Sequence, residues 1–129
     1  MSKNLWPDFE TKKGPRSPKS VIEEAGAGLQ EKTKGFVIFY PLSTSIVSDQ
    51  VDASFSLYAR SLSYHFPFLR ARFPLQGLYP VTLTAYKMAD VVANDENELI
   101  ASLGKIFSAP STVETIQNLM SLAQPAGAP

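Results

Sequence analysis

The sequence predicts an α+β fold: a four-stranded antiparallel meander with one N-terminal and two C-terminal helices packed on one face. Three observations carry this. Between residues 53 and 86 the apolar set Phe55, Leu57, Ala59, Leu69, Ala71, Phe73, Val81, Leu83 and Ala85 recurs at every second position, the period of half-buried strands. Amphipathic helical stripes flank this region on both sides and supply the cover that a one-faced antiparallel sheet needs. Strands and helices do not alternate, so a parallel, doubly wound sheet is excluded and the meander is the economical connection.

The elements follow in order. Residues 1–17 read as an irregular arm carrying Lys3, Lys12, Lys13 and Arg16, with Leu5, Trp6 and Phe9 as its large apolar groups. Trp6 and Phe9 are candidate anchors, expected to dock on the body of the chain or across a dimer interface, because an aromatic buries a large area at small entropic loss. Residues 18–123 form the expected α+β domain, and residues 124–129 a Pro/Ala/Gly-rich tail. Ser17 before Pro18 is an N-cap with proline at the first helical position, and Ser20-x-x-Glu23 an alternative capping box. Val21, Ile22, Ala25 and Leu29 make the buried stripe, and Gly35 stands where a C-cap glycine belongs. Ala25-Gly26-Ala27-Gly28 lacks the preceding strand and the Gly-Lys-Ser context of a phosphate loop. Its small residues point instead to close packing on the sheet.

Strands are expected at residues 36–40, 53–62, 68–73 and 80–86. Pro41 ends the regular pairing of the first or places it at an edge. Residues 43–50 read as a polar loop, or as a weak continuation through Ile46 and Val47. Asn94 is the expected cap of a helix whose Asp95, Glu96 and Glu98 suit the positive end of the helix dipole. Leu99, Ile100, Leu103, Ile106 and Phe107 are its stripe, and Pro110 breaks it. Ser111-x-x-Glu114 then offers a second capping box, before the stripe Val113, Ile116, Leu119, Met120 and Ala123.

Composition narrows the function. Twelve basic residues balance twelve acidic ones, so no global field draws nucleic acid or an anionic membrane. Residues 91–129 hold Lys105 against Asp95, Glu96, Glu98 and Glu114, which makes the C-terminal helices the acidic side. The absence of cysteine removes disulfides, thiolate nucleophiles and the common structural zinc sites. No apolar run approaches the eighteen residues of a spanning helix, so a cytoplasmic protein is expected.

His65 is the single imidazole and the one candidate general base. No acidic cluster accompanies it in sequence, so neither a metal site nor a cofactor is expected. Tyr58, Arg60, Tyr64, Arg70, Arg72 and Tyr86 are the candidate binding residues. Arg70 and Arg72, two apart on one strand, share a face, and Arg60 would lie opposite if its strand is their hairpin partner. Interface-type residues on an uncovered sheet predict an interaction or adaptor-type module. It would bind a protein partner or a second copy, through that face or an exposed edge. The alternative is an anionic ligand or modest catalysis, with Arg60, Arg70 and Arg72 converging beside His65.

Overall fold

The computed structural model describes residues 4–9 and 16–124. Parts of the expected arm (1–3 and 10–15) and of the tail (125–129) lie outside the described residues. In chain order come α1 (Pro18–Gly26), α2 (Leu29–Lys32), β1 (Ile38–Val47), β2 (Gln50–Ala59), a 3-10 turn (Arg60–Leu62), β3 (Tyr64–Pro74), β4 (Val81–Ala85), β5 (Val91–Ala93), α3 (Glu96–Ser108) and α4 (Pro110–Ala123). The five strands pair β1-β2-β3-β4-β5, all antiparallel. The fold is the expected α+β meander with one strand more than expected. At three residues, Val91–Ala93 is too short to display an alternating pattern.

The inner face is the one anticipated. Every member of the period-2 apolar set is buried, and these side chains join Val21, Ile22, Leu99, Leu103, Ile106 and Leu119 of the helices in one core. Phe39 stacks on Phe55 at 5.3 Å and meets Phe107 of α3 edge-on at 5.6 Å, so sheet and helix share an aromatic centre. The register slips at Phe55/Ser56. Phe55 opposes Leu69 and Ser56 opposes Pro67, which leaves Phe68 as the extra residue of a bulge. This is how Phe68 and Leu69 are both buried although adjacent.

α1 starts as expected: Ser17 accepts a hydrogen bond from Ser20 N, with proline in the first turn. The chain then kinks at Ala27–Gly28 into α2, which closes with paired reverse bonds. Gly35 N donates to Gln30 O at 2.7 Å and Lys34 N to Glu31 O at 3.2 Å. The left-handed C′ position is therefore Lys34 (φ 56°), followed by Gly35 (φ 83°). Thr33, buried, accepts from Val37 N at 3.1 Å and lies 2.9 Å from Leu29 O, fixing α2 to the start of β1. Gly26 is buried against Phe39, and a Cβ there would collide with the ring. The close packing expected of the small-residue run is made at this residue alone. Gly28 has open space around it.

Two local expectations change, and one left open is decided. The cap of α3 is Asp95, not Asn94: Glu98 N donates to Asp95 Oδ1 at 2.8 Å, while the Glu98 carboxylate accepts from Asn94 N at 2.8 Å. The box expected at Ser111 and Glu114 does not form, because α4 begins at Pro110 with Ala109 as its cap. One proline both ends α3 and opens α4. β1 takes the extended option, running through Ile46 and Val47 with a bulge between Pro41 and Ser43. Its hairpin to β2 turns on Ser48 (φ 51°) and Asp49 (φ 62°), both left-handed, the turn type that matches strand twist. Arg16 pairs with both Glu24 and Glu96, bracing the start of α1 against the start of α3.

Candidate functional site

Residues on the outward side of the sheet fall into three groups, and register decides which. Tyr58 opposes His65, and Ser56 opposes Tyr40. The His65 ring stacks on Tyr58 at 4.1 Å and 17°, and Tyr40 stands edge-on to His65 at 5.1 Å. The Ser56 hydroxyl is 2.9 Å from His65 Nδ1. A serine beside a histidine resembles a nucleophile and its base, yet Ser56 is 0% exposed. Substrate has no route to it. The hydroxyl instead locks the imidazole into the stack, and His65 lies within β3 rather than at the turn its sequence position suggested.

The second group is charged. Asp52 opposes Arg72 and Ser54 opposes Arg70. Arg70 is forked onto Asp52, its Nε donating to Oδ1 at 2.8 Å. Arg72 donates to the Thr84 hydroxyl at 3.3 Å and reaches Asp90 at 3.5 Å. Arg60 is elsewhere: β2 ends at Ala59, and Arg60 opens the 3-10 turn. Six residues separate it from Ser54, roughly 20 Å along a strand. The arginines expected to converge are thus split, two at one end of the sheet with carboxylate partners and one at the other.

Hydrogen bonds from Arg70 hold the Asp52 carboxyl below its ordinary range; burial opposes this, and the Arg70 and Arg72 charges assist. A carboxylate with a depressed folded pKa stabilises the fold fully above its unfolded value, about pH 3.9, and loses that contribution as pH falls through the folded value. Wild type is therefore expected to lose stability more steeply than Asp52→Asn below about pH 4, in urea titrations at stepped pH. The difference is small, since the Arg70 side chain is 55% exposed. Equal acid slopes would show that the fork contributes nothing.

The remaining candidates stand apart. Tyr64 is exposed at the start of β3, opposite Ala59. Tyr86 follows β4, edge-on to Phe66 at 4.7 Å with the Lys87 ammonium 5.4 Å from its ring. Trp6 and Phe9 lie 6.4 Å apart and are 76% and 78% exposed. Within one chain the anchors do not dock on the body. Sequence reasoning missed Tyr40 and Ser56, and it weighed Asp52 and Asp90 only as acids that folding could bring to His65, where they pair with Arg70 and Arg72 instead. Asp52, Ser54, Ser56 and Tyr58 alternate in the sequence, so starting β2 at Gln50 would have placed Asp52 on this face.

Two further features complete the surface. β1 is an edge strand, exposed from Tyr40 to Val47, with Leu42, Ile46 and Val47 43%, 55% and 69% exposed. On the helix side, a cavity of about 500 Å³ opens between the α1–α2 corner, the inner face of the sheet and the α3–α4 corner. Among the described residues no three His, Asp or Glu side chains gather as metal ligands, and no helix is long and apolar enough to cross a membrane. Compared with known proteins, the chain matches no family model, no curated protein and no solved structure.

Proposed function

We propose that this protein is a non-enzymatic interaction module that self-associates, two copies joining edge to edge along β1. The observation that carries this is the composition of β1 itself. Ile38–Val47 contains no charged side chain, and eight of its ten residues are exposed. Long sheet edges are normally blunted by lysine, by shortness or by a covering element, since their free N–H and C=O groups recruit other strands. The opposite edge, β5, has three residues and packs beside α3. β1 has only Pro41 and its bulge, which leave Ser43–Val47 as a regular pairing run.

Antiparallel pairing of two β1 strands about a two-fold axis satisfies those groups and continues the sheet from one copy into the next. It also partly covers Ile46 and Val47, and it sets the Tyr40–Tyr58–His65 stacks of the two copies on one continuous surface. Tyrosine is among the residues that such contacts favour. The arginine groups support the same reading by subtraction. With Asp52 and Asp90 already occupying Arg70 and Arg72, the face presents balanced pairs rather than an anion clamp.

Size-exclusion chromatography with light scattering tests the proposal. Wild type is expected to be a dimer at micromolar concentration. Thr44→Lys with Ile46→Lys puts like charges across the axis and is expected to weaken dimerisation at least tenfold, about 1.4 kcal/mol, with the monomer still folded. A wild-type chain that stays monomeric at 100-fold higher concentration, or a dimer indifferent to the two lysines, overturns it.

A further inference from the structure

We propose that the cavity beneath the sheet is a binding site for a single-chain amphiphile, its apolar body inside and its polar head at the α2 rim. The space opens to solvent on the helix side, and at about 500 Å³ it falls within the range of small-molecule sites. The space is also built. Phe39, Phe68 and Phe107, with ring centres 5.6 to 6.5 Å apart, form its back together with Leu57 and Ile116.

The chemistry of the wall selects the ligand. Among the described residues Thr112 is the one uncharged polar side chain lining it, and its hydroxyl is committed to Ile106 O at 2.7 Å. A polar atom of a ligand held deep in this space would lose its water without a side-chain partner, which is costly. The enclosed part of the ligand is therefore hydrocarbon. Polar groups appear only at the rim, where Glu31 and Lys32 are exposed on α2. An apolar body with one head, as in a medium-chain fatty acid or alcohol, meets both conditions.

Gly28 makes the site testable without damaging the fold. It lines the cavity, has no atom within 4 Å of a built Cβ, and has an ordinary φ of −71°. Gly28→Leu therefore adds an apolar side chain at the cavity wall without backbone strain. Decanoate and 1-decanol, each below its aggregation limit, are the probes. At saturation either is expected to raise the thermal midpoint of the full chain by about 5 °C or more. Gly28→Leu is expected to leave the unliganded midpoint close to that of wild type and to lose that shift. A shift with decanoate alone assigns an anionic head; a shift with both assigns recognition to the chain. Isothermal titration of both proteins gives a readout independent of stability.

The competing occupant is the arm, whose Leu5, Trp6 and Phe9 are 85%, 76% and 78% exposed. If the arm fills the cavity, the single tryptophan emits at short wavelength in wild type and shifts to the red in Gly28→Leu, and neither probe moves the midpoint. That result overturns the proposal. So does wild type that binds neither probe, or a Gly28→Leu protein that binds them as wild type does.

Discussion

Phe55→Ala is expected to remove about 3–5 kcal/mol of unfolding free energy, the usual cost of truncating a fully buried phenylalanine. Phe55 is 1% exposed at the middle of β2, stacked on Phe39 and set beside the Phe68 bulge. The surrounding strands are tied by their ladders, so the hole cannot close by a simple shift of one side chain. A domain of this length has about 5–15 kcal/mol in total, so the variant sits near the edge of folding. Urea denaturation followed by circular dichroism is the measurement. A loss under about 1 kcal/mol would mean that the aromatic centre is not where the molecule keeps its stability.

Gly26→Leu is expected to be the second most damaging change, and its neighbour provides the control. Exchanging glycine for leucine in a helix ordinarily gains up to about 1 kcal/mol. At Gly26 that gain is overwhelmed, because the new Cβ meets the Phe39 ring and Phe39 is itself held by Phe55, Phe68 and Phe107. Overpacking of this kind costs about 1–3 kcal/mol, and a net loss near the middle of that range is expected. Gly28→Leu, two residues on, faces open space at the N-cap of α2 and is expected to be close to neutral. Thermal unfolding of the two variants side by side reads the contrast. Equal behaviour would show that α1 does not pack as tightly on β1 as this contact requires.

The inner face was legible in the sequence because burial writes itself directly into period-2 alternation, and α3 and α4 because their stripes and breakers are strong. What alternation cannot give is register. The pairings of Asp52 with Arg72 and of Tyr58 with His65 stand on either side of the bulge at Phe68, and the register of β1 on β2 is set by a tight turn through Ser48 and Asp49. That turn lacks the Asn-Gly signal by which such hairpins announce themselves, so β1 could not be fixed beyond Pro41. Arg60 was misplaced for a related reason. The sequence Tyr58-Ala59-Arg60 continues the alternation smoothly, and nothing in it marks the point where the chain leaves the sheet. The Ser56–His65 contact was invisible at nine residues' separation. The uncharged run from Ile38 to Val47, by contrast, was available to be read and gains its meaning only once β1 is known to be an edge.

The order of the strands has a bearing on how the chain reaches this state. Each strand pairs only with its neighbours in sequence, so the sheet closes no long loop as it forms. Loop-closure entropy is small at every step, and proteins dominated by such local pairings fold quickly for their size. The distant encounters belong to the helices: Arg16 of the α1 start meets Glu96 eighty residues on, and Ser61 holds the last carbonyl of α4, at Ala123. Assembly therefore has a natural sequence, hairpins first and the helical cover second. In that order Phe39, Phe55 and Phe68 are expected to face water on the open side of a partly built sheet until the helices cover them, an exposure that dye binding during refolding would report.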